Sequence, residues 1–107
     1  MSLSGRDRRH LRRLAHPLRP VVQIGAGGLT ERVVDAVDRA LADHELIKLK
    51  ISDERETRRA LAADVAARTG SQIAGLVGRV AILYRPAAEP ESRAIALPSA
   101  RGPGGGR

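Results

Sequence analysis

The order of apolar runs predicts an α/β domain, α-β-α-β-α-β-β, built as a two-layer sandwich on a four-stranded mixed sheet with an additional N-terminal helix. Three observations predict it. Helical apolar spacing alternates with short runs of β-branched residues, the pattern of strand–helix crossovers. The dipeptide Gly78-Arg79 separates the last two apolar runs at hairpin spacing. The glycine cluster Gly25-Ala26-Gly27-Gly28 stands between a strand and the start of a helix.

The first helix is expected from about Gly5 to Ala15. Ser4 stands at its N-cap, and Ser4-x-x-Asp7 has the form of a capping box. Leu11, Leu14, Ala15 and Leu18 form an apolar stripe at helical spacing. Arg6, Arg9 and Arg13 lie along another face, with Arg8 and Arg12 beside them. Pro17 and Pro20 end the helix and force an extended entry into the first strand, Val21–Ile24. Thr30 is the expected N-cap of a second helix running to about Asp43. Leu29 and Val34 are spaced as a hydrophobic staple, and Val33, Val34, Val37 and Leu41 form the buried stripe. In the second strand, Leu46–Ile51, the residues Ile47, Leu49 and Ile51 alternate with Lys48 and Lys50. One of its faces is therefore buried and the other basic.

Asp53-x-x-Glu56 has the form of a capping box for a third helix, ending near Thr69 with Gly70 just beyond. Leu61 and Val65 anchor it, supported by alanines. The third strand is about Gln72–Val77 and the fourth Val80–Tyr84. The fourth is apolar at every position, as expected of a strand inside the sheet. Helical crossovers join the first three strands, which predicts them parallel, with the second and third helices on one sheet face. The face bearing Lys48 and Lys50 stays partly open unless the first helix covers it. The folded domain is expected over residues 1–86 and a flexible Pro/Gly-rich tail over 87–107. Within that tail Ile95 and Leu97 are candidates for docking, and Arg101–Arg107 should be its most flexible part.

A chain of 107 residues has room for one modest core, here of Val, Ile, Leu and Ala, because Phe and Trp are absent and Tyr84 is the one tyrosine. The lack of cysteine excludes disulfides and thiolate metal sites. No apolar run approaches the roughly 20 residues that span a bilayer. Met1–Arg13 lacks the apolar stretch of a secretory signal. A cytoplasmic protein without a membrane partner is expected.

The net charge is +7. It is unevenly spread: residues 1–28 carry +5, residues 29–70 carry −1, and residues 71–107 carry +3. A cationic element so concentrated in the first helix points to a polyanion partner. The alternative is that the arginines only keep the protein in solution.

The glycine turn is not a dinucleotide fingerprint, because Thr30 stands where Gly or Ala is needed and no acidic residue ends the second strand. Nor is it a P-loop, since no Gly-Lys-Ser/Thr follows. By itself a G-x-x-G can be a tight structural turn. It also lets backbone N–H groups and a helix N-terminus face a phosphate. His10, His16 and His44 are not at metal-ligand spacing. No nucleophile has an evident base partner, so neither an enzyme nor a cofactor or metal is expected. Readers of single strands usually stack bases on aromatic rings, which this chain lacks apart from Tyr84. Binding should rest on phosphate contacts, arginine forks and backbone N–H groups.

Three separated motifs then occur in order: Ala15-His-Pro-Leu-Arg-Pro-Val-Val-Gln-Ile-Gly-Ala-Gly-Gly-Leu-Thr30, His44-Glu-Leu-Ile-Lys-Leu-Lys50 and Val77-Gly-Arg-Val-Ala-Ile-Leu-Tyr-Arg-Pro86. Together they resemble the bacterial YhbY-like CRM-domain proteins (chloroplast RNA splicing and ribosome maturation), from about Leu3 to Pro86. The resemblance implies a fold similar to the C-terminal domain of translation initiation factor three plus an N-terminal helix. It implies RNA binding, association with large-subunit ribosomal precursors, and RNA contact through the G-x-x-G loop, here Gly25, Ala26, Gly27 and Gly28. Many relatives carry a polar or basic side chain at the positions of Ala26 and Gly27. In this chain the loop would contact RNA through backbone N–H groups, with charge from Arg12, Arg13, Arg19 and Lys50.

The expected function is therefore a non-enzymatic, monomeric RNA-binding protein that assists assembly of the large ribosomal subunit. Its candidate site comprises Gly25, Ala26, Gly27, Gly28, Arg6, Arg9, Arg12, Arg13, Arg19, Lys48 and Lys50. One rival is a ribosome-associated factor that binds through proteins and has little RNA affinity. Another is a small-ligand enzyme using the glycine turn on a nucleotide.

Overall fold

A computed structural model of the chain describes residues 3–25, 27–52 and 54–99. Ser4 opens α1 (Gly5–Ala15): its hydroxyl accepts from the Asp7 N–H at 3.0 Å, and the Asp7 carboxylate accepts from the Ser4 N–H at 3.1 Å. The expected capping box is present, so two of the helix's open donors are satisfied locally. Strand β1 (Pro20–Ile24) follows, then α2 (Glu31–His44), whose cap Thr30 accepts from the Val33 N–H at 3.2 Å. Strand β2 (Leu46–Ile51) leads into α3 (Arg55–Thr69), and Gly70 closes that helix in the left-handed conformation. The N-cap of α3 is Glu54, with no side-chain capping bond. Asp53, the expected cap, lies outside the described residues. Strands β3 (Gln72–Val77) and β4 (Val80–Tyr84) meet at a hairpin where Gly78 takes φ 59°.

The sheet order is β1-β2-β4-β3. β1 is parallel to β2, and β4 is antiparallel to both β2 and β3. The first three strands thus share one direction, but β4 is inserted between β2 and β3, which explains its apolar residues on both faces. One face carries the larger core: Ile47, Leu49, Ile51, Ala81 and Leu83 from the sheet meet Val37, Leu41, Ala62 and Val65 from α2 and α3. On the other face α1 lies across the sheet. Leu11 and Ala15 pack on Leu46, Ala74, Ile82 and Tyr84. The first helix therefore covers much of the face bearing Lys48 and Lys50.

Not all of the stripe on α1 is buried. Leu14 and Leu18 are each 40% exposed and, with Val21 and Ile95, line an open apolar groove beside β1.

After β4 the chain folds back over the α1 face through a short 3-10 turn, Pro90–Ser92. Leu97 is buried in the second core, and Ile95 packs against it. Glu45 organises this return. It has φ 66°, a conformation L side chains resist, in the tight turn between α2 and β2. Its buried carboxylate accepts from the N–H groups of Ala87, Ala94 and Ile95 at 3.3, 3.1 and 3.2 Å. Residues 87–99, read from composition as the start of the tail, are here held by Glu45, by Leu97 and by a link from Ser99 to Asp7. Arg101–Arg107 lies outside the described residues.

Candidate nucleic-acid interface

The glycine turn sits at the end of β1, where Ile24 pairs with Ile51 and the Ser52 N–H donates to the Ile24 carbonyl at 3.2 Å. Gln23 Nε2 adds a bond to Ser52 Oγ at 3.2 Å. The turn closes with a bond from the Gly28 N–H to the Gly25 carbonyl at 3.0 Å. Gly28 has φ 73°, so a side chain there would be strained. Gly25 and Gly27 are exposed, outside that region, and open space surrounds the position of a Cβ on either. Their backbone is accessible to a ligand without being required by packing. Ala26 lies outside the described residues.

The antiparallel register brings other cations to the same end of the sheet. Lys50, exposed, pairs with Val80, and the Ile51 N–H donates to the Arg79 carbonyl at 2.8 Å. The β3–β4 hairpin and Arg79 thus lie beside the end of β2. On the α3 side of that hairpin, Arg55, Arg58 and Arg59 line a groove of about 450 Å³ with Gly78, floored by Ala62, Ile73 and Leu76. These α3 arginines are absent from the sequence-derived site. A signal was present, three arginines within five residues, but the nearly neutral charge of residues 29–70 concealed it. Only the fold sets them against the β3–β4 hairpin at Gly78.

The arginines of α1 divide into two groups. Arg6, Arg9 and Arg13 are exposed and engage no carboxylate among the described residues. Arg8 and Arg12 turn back onto the protein. Arg8 Nη1 donates to the Leu3 carbonyl at 2.8 Å, and Arg12 Nη1 to the Ala74 carbonyl at 3.1 Å. Lys48 is also committed: its ammonium donates to the carbonyls of His16 and Leu18 at 3.1 and 3.0 Å. It neutralises the end of α1, where unpaired carbonyls and the helix dipole favour a cation. Arg19 is exposed at the entry to β1.

Tyr84 offers no stacking surface, being 2% exposed. Burial, reinforced by the Glu45 carboxylate, pushes its hydroxyl above the ordinary value of 10.0. Among the described residues no group of three or more His, Asp or Glu side chains could hold a metal ion. No described helix is long and apolar enough to cross a membrane.

The glycine turn at the start of α2, Lys50 and the β3–β4 hairpin thus share one end of a mixed α/β sandwich. Residues 3–85 match the CRS1 / YhbY (CRM) domain, and the chain belongs to that family. It is 38% identical over 86 residues to "Probable RNA-binding protein PA4753" of Pseudomonas aeruginosa, covering 79% of this chain and 83% of that one. It is also 38% identical over 89 residues to a protein of Haemophilus influenzae named "RNA-binding protein", covering 82% of this chain and 90% of that one. Among solved structures, that of hypothetical protein SAV1595 from Staphylococcus aureus superposes with a TM-score of 0.79 at 33% identity. It covers 91% of this chain and 100% of that one.

Proposed function

We propose that this protein is a non-enzymatic RNA-binding protein that associates with large-subunit ribosomal RNA or its precursor and assists ribosome assembly. It would act in the cytoplasm as a monomer. The observation that carries the reading is the convergence at one end of the sheet. The exposed turn Gly25–Gly28, the start of α2, Lys50, Arg79 and the α3 arginines all border that end. Backbone N–H groups and a helix dipole at the turn suit a phosphate. The surrounding cations follow a polyanion better than a single small ligand. The names of the relatives support RNA as that polyanion.

The experiment is crosslinking in cells, followed by sequencing of the RNA recovered with the protein and co-sedimentation with large-subunit precursors. Enrichment of large-subunit ribosomal RNA is the expected result. RNA recovery no better than background would reject the reading. Titration with nucleoside phosphates excludes the enzyme rival if binding is weak and does not saturate.

The groove of Leu14, Leu18, Val21 and Ile95 favours a second reading, docking on a ribosomal protein. That reading predicts a complex that survives high salt and little affinity for free RNA.

A further inference from the structure

α1 does not cover the whole of its sheet face. Beyond Ile82, toward the hairpin, Val77 is 61% exposed and Val80 half-buried. Between this uncovered strip and the last turns of α1 is a groove of about 350 Å³, lined by Arg12, His16, Lys48, Val77, Val80 and Ile82. Its floor is aliphatic and its walls are cationic or imidazole, with no carboxylate lining it among the described residues. We infer that this groove seats one unpaired nucleobase of the bound RNA, stacked against the Arg12 guanidinium and the His16 ring. The inference rests on the RNA-binding reading above and deepens it.

The chemistry favours a base over other occupants. A bare phosphate gains nothing from three aliphatic side chains. An apolar peptide would strip water from Arg12 and Lys48 without giving them a partner. A nucleobase has apolar faces and polar edges, and both guanidinium and imidazole planes stack on such faces. The groove lies near the small end of ligand cavities, roughly 300–1,000 Å³.

The walls are set in advance. Gly75 is where the Arg12 stem crosses β3: a Cβ there would stand 2.6 Å from Arg12 Cδ and 3.0 Å from Cγ. Any other residue would push the stem away. Arg12 Nη1 is then fixed on the Ala74 carbonyl at 3.1 Å. Lys48 holds the turn that carries His16 through the His16 and Leu18 carbonyls. A plane already immobilised loses less entropy on binding. Lys50, on the same strand face and paired with Val80, is placed for the phosphate of the seated nucleotide.

The test uses three RNA hairpins identical but for one position: fully paired, carrying a single bulged nucleotide, or carrying an abasic bulge that keeps the phosphate and lacks the base. The parent should bind the bulged hairpin roughly tenfold more tightly than the abasic one, the scale of a single base stack. Gly75→Ala displaces Arg12 at constant charge, and R12K keeps the charge but loses the plane. Each should erase that preference, so that the bulged hairpin is bound no more tightly than the abasic one. Equal binding of bulged and abasic hairpins by the parent overturns the inference, as does an intact preference in R12K. If Arg9→Gln with Arg13→Gln weakens all three hairpins while R12K changes nothing, RNA binding stands and the base seat falls. A parent that binds none of the hairpins removes both.

Discussion

The Asp7 carboxylate that closes the capping box of α1 also accepts from the N–H and the hydroxyl of Ser99, at 2.9 and 2.5 Å, across 92 positions of sequence. One buried acid thus starts the first helix and fastens the returning C-terminal segment. Burial opposes its ionisation, but the bonds from Ser99 and Ser4 outweigh burial and lower its pKa from 3.8 to about 2.

A pH dependence follows. The depressed pKa means that the folded state favours the ionised form more than the unfolded chain does. The resulting stabilisation is complete above the ordinary carboxylate pKa and is lost as pH falls through about 2. It is worth about 2 kcal/mol. Thermal melts from pH ~5 to ~2 should show a steep loss in the parent and a shallower one in Asp7→Asn, which starts less stable. Ser99→Ala should fall between them. Parallel curves for parent and Asp7→Asn would show that Asp7 does not carry the acid sensitivity.

The reach of sequence reasoning is visible at this same residue. Ser4-x-x-Asp7 is local, and so are the Thr30 cap, the Gly78-Arg79 hairpin and the alternation in β2. Each depends on spacings of a few residues, and each appears in the structure. The tie from Asp7 to Ser99 pairs residues that no periodicity connects. Glu45 would read as an ordinary helix-end acid, and only the fold reveals its positive φ and its three N–H donors. Lys48 and Lys50 look equivalent in an alternating strand. Yet α1 ends over Lys48 and claims its ammonium, leaving Lys50 exposed. The α3 arginines gain their neighbours only when β4 inserts into the sheet and brings the hairpin to them.

If phosphate contacts dominate, log affinity for structured RNA should fall linearly with log salt, with a slope of about −0.7 to −0.9 per contact. Filter binding from ~50 to ~300 mM salt measures that slope. A flat response would point instead to the apolar groove beside β1.

The α1 and α3 arginines can be separated from the fold they stand on. Arg9 and Arg13 are exposed and engage no carboxylate among the described residues, so Arg9→Gln with Arg13→Gln should change the melting temperature little. RNA affinity should fall and the salt slope should shrink by roughly two contacts. Arg55→Gln with Arg59→Gln tests the surface at the start of α3 in the same way. Loss from the α1 pair alone would confine the interface to the first helix. Loss from neither would mean that the arginines serve only to keep the protein in solution.

The glycine turn gives the sharpest separation of fold from binding. Gly28 has φ 73°, so Gly28→Ala should cost about 1 kcal/mol of stability. Gly27 has no such constraint and faces open space, so Gly27→Ala should leave the melting temperature near the parent's. Gly27→Asp should also fold, since its carboxylate would face solvent near the N-terminus of α2, where the dipole favours an anion. That carboxylate would occupy the place of an approaching phosphate and repel the next one along the backbone. RNA affinity should therefore fall at least tenfold in Gly27→Asp, by roughly 1.4 kcal/mol or more, and much less in Gly27→Ala. Gly70→Asp is a poor control, because Gly70 has φ 67° and a side chain there is itself strained. Ala67→Asp, exposed in the last turn of α3, adds the same charge away from the glycine turn and at a position without positive φ. A folded Gly27→Asp that binds RNA as well as Ala67→Asp would make Gly25–Gly28 a structural bend only. The interface would then rest on Arg9 and Arg13 of α1, Lys50 and Arg79.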